Sequence, residues 1–173
     1  PKNRMGLFSV EHYLVHKYGQ ELWVRNESDA SLIWSKSISE PNIRFQHIFY
    51  QEGKIIVIKS GFGAGMGTNE GHADASEFKA FEAYDIKDGT LLWTVSQEEL
   101  KKGTTLGRDG ERVAVPFISG ARENQVAFSV WSEQPDKFSI KTGSSAERGQ
   151  AMSMLLDLEK GKILWKTKMR INL

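Results

Sequence analysis

The chain has 173 residues, with 23 Lys and Arg against 22 Asp and Glu, 4 His and no Cys. That length supports one domain with a real core rather than two of ordinary size, so 1–173 is read as a single domain. Charges that cancel without a like-charge block leave no electrostatic footprint for nucleic acid or an anionic membrane. The lack of Cys excludes disulfides, thiolate zinc sites and cysteine nucleophiles, and leaves cytoplasmic, periplasmic and secreted locations open for a soluble chain.

No apolar run approaches the roughly 18 residues of a membrane-spanning helix. Residues 1–5 contain no hydrophobic signal core, which fits a removed signal, a start at Met5 or no signal at all. The first element is a hairpin, YLVHKYGQELW at 13–23, which turns at Gly19 and closes on Trp23. It anchors an N-terminal half-unit over about 7–38, to which the segment 30–38 with Trp34 adds a strand. Strands follow near 43–50, 54–60, 79–86 and 90–96, then near 111–118, 125–131, 151–158 and 162–168, giving units at about 43–96 and 111–168. Turns are expected at 51–53 and 119–124. Between the units Ser96 caps a short helix over 97–102, Glu99 sits at the capping-box position, and Gly103 stops it.

An internal repeat organises these strands. AYDIKDGTLLW at 83–93 aligns without a gap with LLDLEKGKILW at 155–165, matching Asp85 with Asp157, Gly89 with Gly161 and Trp93 with Trp165 at an offset of 72. The hairpin at 13–23 is the third copy, with Gly19 and Trp23 at an offset of 70. The expected fold is all-β, built from antiparallel four-stranded meanders stacked as a partial or open β-propeller, with a β-sandwich as the alternative. The unbroken apolar run Ile55, Ile56, Val57, Ile58 suits a second strand covered on both faces. Pro116 suits a first strand at a sheet edge.

The pattern Ala-x-Asp-x-x-x-Gly-x-x-x-Trp resembles the repeat of the pyrroloquinoline-quinone-type β-propellers, which include quinoprotein alcohol dehydrogenases and the propeller lipoprotein of outer-membrane protein assembly. The resemblance implies that Trp93 and Trp165, with Trp23, close each blade by packing between neighbours. It covers about eleven residues per copy and speaks to fold alone. Two units and a hairpin fall short of the roughly four blades of a closed ring. The expectation is a fragment of a larger propeller, closure by self-association, or a sandwich. Enzymes of that family carry adjacent cysteines and an acidic calcium site, and neither is found in this sequence.

The candidate binding residues lie in two long connections. The first, SGFGAGMGTNEGH at 60–72, has Gly61, Gly63, Gly65 and Gly67 on alternate positions, whose bare amides suit an anion. No Gly-Lys-Ser/Thr or helix start follows them, so neither phosphate-loop fingerprint has its context. His72, Asp74 and Glu77 add polar groups, and the second connection at 132–150 adds Lys141 and Arg148. His72 with Asp74 and Glu77 lacks a metal-binding spacing, and His12 and His16 on one strand would lie about 13 Å apart, so no metal is expected. No nucleophile elbow supports hydrolysis and no cofactor is expected. The leading expectation is a noncatalytic binding or scaffold domain that recognises a protein through these connections at one end. The alternatives are a quinoprotein-like or hydrolytic enzyme completed by other blades, and an immunity-type partner of a toxin.

Overall fold

The computed structural model describes residues 6–62, 76–107, 112–133 and 151–169. They form three antiparallel sheets whose strands follow chain order. The first sheet contains β1 (Gly6–Val10), β2 (Tyr13–Tyr18), β3 (Glu21–Asn26) and β4 (Leu32–Ser37). The second contains β5 (Ile43–Gln51), β6 (Lys54–Phe62), β7 (Ser76–Asp85) and β8 (Leu91–Ser96). The third contains β10 (Phe117–Arg122), β11 (Gln125–Glu133), β12 (Ala151–Asp157) and β13 (Lys162–Lys168), with β9 (Arg112–Val113) also paired to β11. The all-β meander expected from the repeat is the architecture observed. By compactness the chain divides into Pro1–Gly61 with Lys79–Thr94, and Phe62–Phe78 with Val95–Leu173.

Three details correct the sequence reading. The N-terminal segment is a complete four-stranded sheet, because residues 6–10 pair with β2 and residues 32–37 pair with β3. Gly19 and Trp23 therefore belong to its central hairpin, not to its third and fourth strands. Lastly, the first strand of the third sheet breaks at Pro116, which has no N–H for the ladder, into β9 and β10. β10 then runs on to Arg122, so the following turn tightens to Glu123 and Asn124, with Glu123 at φ +47°.

The true third copy of the repeat is NESDASLIW at 26–34, at an offset of 59 from its partner in the second sheet. Its turn is built like the others. The N–H groups of Ala30, Gly89 and Gly161 donate to the carbonyls of Asn26, Asp85 and Asp157, each at 2.9 Å. The side-chain Oδ1 atoms of Asn26, Asp85 and Asp157 accept from the N–H two residues on, at 2.8–2.9 Å. Such Asx turns are as available to Asn as to Asp. The closing residue has positive φ in all three, +58°, +73° and +61°, which Gly adopts without steric cost and Ala does not. A bulge follows in the first and third sheets, between Val24 and Arg25 and between Leu155 and Leu156. It brings Trp34 and Trp165 into register with Val24 and Leu155.

In the first compact unit, Phe8, Val15, Val24 and Trp34 form one cross-strand row. It packs on Phe45, Ile55, Val57, Tyr84 and Ile86 of the second sheet. Ile55, Ile56, Val57 and Ile58 are all fully buried, as a strand covered on both faces requires. In the second unit Val126, Phe128, Val130, Met154, Leu156 and Leu158 are buried on the third sheet, with Leu100 of α1 (Gln97–Lys101) and Leu106. Ser96 caps α1 as expected, its Oγ accepting from the Glu99 N–H at 3.3 Å. Lys166 closes the other end, its Nζ donating to the carbonyls of Glu99, Leu100 and Lys102 at 2.7, 3.1 and 2.7 Å.

Candidate functional site

The sheets differ in how their second strand joins their third. In the first sheet Gly19 and Gln20 suffice, with Gly19 at φ +58°. In the second sheet 13 residues, 63–75, separate β6 from β7, and in the third 17 residues, 134–150, separate β11 from β12. Gly63, Gly65, Gly67, His72 and Asp74 fall in the first of these connections and Lys141 and Arg148 in the second, so all seven lie outside the described residues. Glu77 is described, and it is tied into the fold. It lies on β7, its Oε1 accepts from the Gln97 Nε2 at 2.8 Å, and its backbone bridges to Ala114.

At the root of the first connection, Ile43 faces Gly61 and Arg44 faces Ser60 across the β5–β6 ladder. A Cβ on Gly61 would stand 2.7 Å from the Lys79 Cε, so the glycine leaves room for that lysine's stem. Gln46 is the bulge residue between Phe45 and His47. Its Oε1 accepts from the buried Ser60 hydroxyl at 2.8 Å and from the Arg44 Nε at 3.2 Å. The Lys17 ammonium, from β2, donates to the Phe45 carbonyl at 3.3 Å. Deeper in, Glu82 is 9% exposed and pairs with Lys59 at 3.1 Å, and it also accepts from the Tyr84 hydroxyl.

Lys17, Arg44 and His47 crowd one another at this edge, and each positive charge disfavours the next. Burial, and next the charge of Arg44, pull the Lys17 ammonium below its usual pKa. Burial, then Lys17, does the same to the His47 imidazole and favours its neutral form. Burial and the Glu82 carboxylate hold the Tyr84 phenol protonated well beyond its ordinary range. Glu82 is spoken for by Lys59 and Tyr84, so it is a buried structural partner and not a proton acceptor open to a substrate. Lys17, Arg44 and His47 carry no sequence signal, because two different sheets bring together residues spread over thirty positions. Among the described residues no group of three or more His, Asp or Glu is arranged to hold a metal ion.

The root of the second connection is a ladder. Trp131 pairs with Ala151, Ser132 with Val113, and Glu133 with Arg112, and the Ala114 N–H donates to the Trp131 carbonyl at 2.9 Å. Both long connections thus leave from paired strands.

The tryptophans divide differently from the reading by repeat. Trp34 is 8% exposed, whereas Trp165 is 44% exposed. Trp93 and Trp23 are half-buried, Trp23 lying 5.2 Å from the His16 ring. The closing role inferred for Trp23 belongs to Trp34. Its indole N–H donates to the Ile86 carbonyl at 2.7 Å, its ring lies 6.2 Å from Tyr84, and a Cβ on Gly89 would come within 2.7 Å of it. Asp85 and Gly89 are the turn residues that shape this docking, and Asp157 and Gly161 build the equivalent turn of the third sheet.

No family model matches the chain, and no curated protein matches it. Among solved structures, a europium-containing methanol dehydrogenase superposes with a TM-score of 0.54 at 12% identity, over 94% of this chain and 24% of that one. The chain thus spans about a quarter of that protein's length. A conserved lipoprotein of Clostridium novyi NT superposes with a TM-score of 0.50 at 10% identity, over 90% of this chain and 86% of that one. At such identities the likeness is one of fold. No helix among the described residues is long and apolar enough to cross a membrane.

Proposed function

We propose that this chain is a noncatalytic binding domain that holds a protein partner through the long connections of its second and third sheets. The observation that carries the reading is the contrast in length: two residues make the second-to-third strand crossing in the first sheet, and 13 and 17 make it in the others. The first sheet makes the same crossing with the short form, which leaves the added length of the other two for a purpose beyond joining strands. Long connections on a rigid scaffold are where binding residues concentrate.

The test places a photo-crosslinking amino acid at position 72 and, separately, at 141 in the chain expressed in its native host. Both should form an adduct with the same protein. Replacing residues 63–75 by the two-residue Gly-Gln link of the first sheet should abolish the position-141 adduct while shifting the melting midpoint by no more than about 2 °C. Adducts with unrelated proteins, or a collapse of stability, would sink the reading. The likeness to a methanol dehydrogenase favours a second reading, a portion of a quinoprotein-like enzyme. That reading requires alcohol-dependent dye reduction by the full-length gene product.

A further inference from the structure

We propose that the seam between the first two sheets carries an acid-sensitive latch, in which protonation of His47 frees the Phe45 end of β5 from the β2–β3 hairpin. The latch is built at a bulge. Gln46 is the extra residue of β5 between Phe45 and His47, so the regular pairing with β6 breaks there. Both backbone groups of Phe45 then reach the first sheet. Its N–H donates to the Gly19 carbonyl at 3.1 Å, and its carbonyl accepts from the Lys17 ammonium at 3.3 Å. Its side chain, 2% exposed, belongs to the core that the two sheets share. The other residue of the hairpin turn, Gln20, holds the link into β5: its Nε2 donates to the Glu40 carbonyl at 2.6 Å, and its carbonyl accepts from the Ile38 N–H at 3.0 Å.

The charges around this point oppose one another. Lys17 comes from β2, and Arg44 and His47 lie on either side of Phe45 on β5. Partial burial is the larger cause that favours the neutral form of Lys17 and of His47. A neighbouring charge adds to it, Arg44 for Lys17 and Lys17 for His47. On β6, Ile58 lies opposite His47, and Lys59 lies opposite Phe45 with its ammonium held by Glu82 at 3.1 Å. Glu82, on β7, also accepts from the Tyr84 hydroxyl, and Glu21, on β3, accepts from the Ser37 hydroxyl at 2.6 Å. A proton on His47 therefore sets a further positive charge beside Lys17, whose bond to Phe45 is already long. His47 is exposed, so the proton arrives from solvent without prior unfolding.

Linkage fixes the direction of the switch. The latched imidazole holds a proton less tightly than a free one, so the open seam binds more protons. The latch is closed above about pH 7 and weakens as the pH falls through about 6.5 toward the latched-state value. Opening is confined to one end of the seam, because away from the bulge Val15, Val24, Ile55 and Ile86 are fully buried and carry no charge. The same stretch of β5 forms the root of the first long connection, where Ile43 faces Gly61 and Arg44 faces Ser60. Acid thus loosens that root while the core stays packed. The latch belongs to the seam alone, so it holds or fails independently of any partner of the connection.

Amide hydrogen exchange of the wild-type chain, followed by NMR from about pH 7.5 to about pH 5 and corrected for the intrinsic rate, tests the latch. The Phe45 N–H reports the latch. The Ile86 N–H, bonded to the Gly53 carbonyl at 2.9 Å, reports the core away from the bulge. Protection of Phe45 relative to Ile86 should fall about two- to fivefold over that range, the size of a partly exposed charge coupling. The midpoint of the fall should match the titration of the His47 imidazole in the same sample. His47→Gln should hold the ratio constant, and Lys17→Met should shrink the fall without abolishing it, because burial of His47 remains as a cause. Parallel loss at Phe45 and Ile86, a constant ratio in the wild type, or an undiminished fall in either variant overturns the proposal. Should a variant fail to fold, the wild-type ratio set against the His47 titration decides.

Discussion

Trp34 can seat itself on the second sheet because position 89 has no side chain. Gly89→Ala adds a methyl 2.7 Å from the indole at a φ of +73° and should destabilise the chain by about 2 to 4 kcal/mol in urea unfolding. Trp34→Ala should cost about 3 to 5 kcal/mol. Trp165→Ala should cost less than about 1 kcal/mol, because the ring is 44% exposed. Equal losses at Trp34 and Trp165 would refute this division of roles. His47 supplies a pH dependence. Its folded pKa lies below its ordinary value, so between the folded value and about 6.5 the unfolded chain binds more protons. Stability should therefore be full above about pH 7 and fall as the pH drops through 6.5 toward the folded value. His47→Gln should flatten that part of a melting-midpoint profile, and an unchanged slope would assign it to another group.

Elements here are set by small local rules. Ser96, Glu99 and Gly103 announce α1 in the sequence, and the helix runs as they indicate, Gln97–Lys101. The other end of α1 depends on Lys166, far along the chain on β13, whose ammonium meets three terminal carbonyls. Lys166→Met should lower stability by about 1 kcal/mol, with amide exchange in α1 rising more than in β11. Uniform exchange across both elements would show that the lysine does not hold the helix. Pro116 suits a sheet edge by its sequence, and its missing N–H divides the expected single strand into β9 and β10. The inner turns share a subtler feature. Glu11, Glu52 and Glu123 each occupy the positive-φ position, where hairpin turns usually place Gly, Asn or Asp, so composition alone did not reveal their equivalence.

At the scale of the whole molecule, the second and third sheets are legible in the sequence because each carries an alternating or continuous apolar pattern with a turn at a fixed offset. The strands expected at 43–50, 54–60, 125–131 and 162–168 lie close to their observed limits for that reason. The first sheet hides its repeat because Asn26 and Ala30 stand where the other copies have Asp and Gly. Those side chains make the same turn, but they break the pattern that marks it. The long connections were visible as length and composition, and their roots were not. The cluster of Lys17, Arg44 and His47 forms where two sheets pack within the first unit, and no spacing along the chain encodes it. Sequence by itself determined the strand order, the turn chemistry and the all-β class, because these depend on near neighbours and on a period of two. Tertiary structure decided which tryptophan is covered and which is left open. Burial of a ring depends on the sheet laid against it, and turns of the same geometry lead to Trp34, which is covered, and to Trp165, which is not.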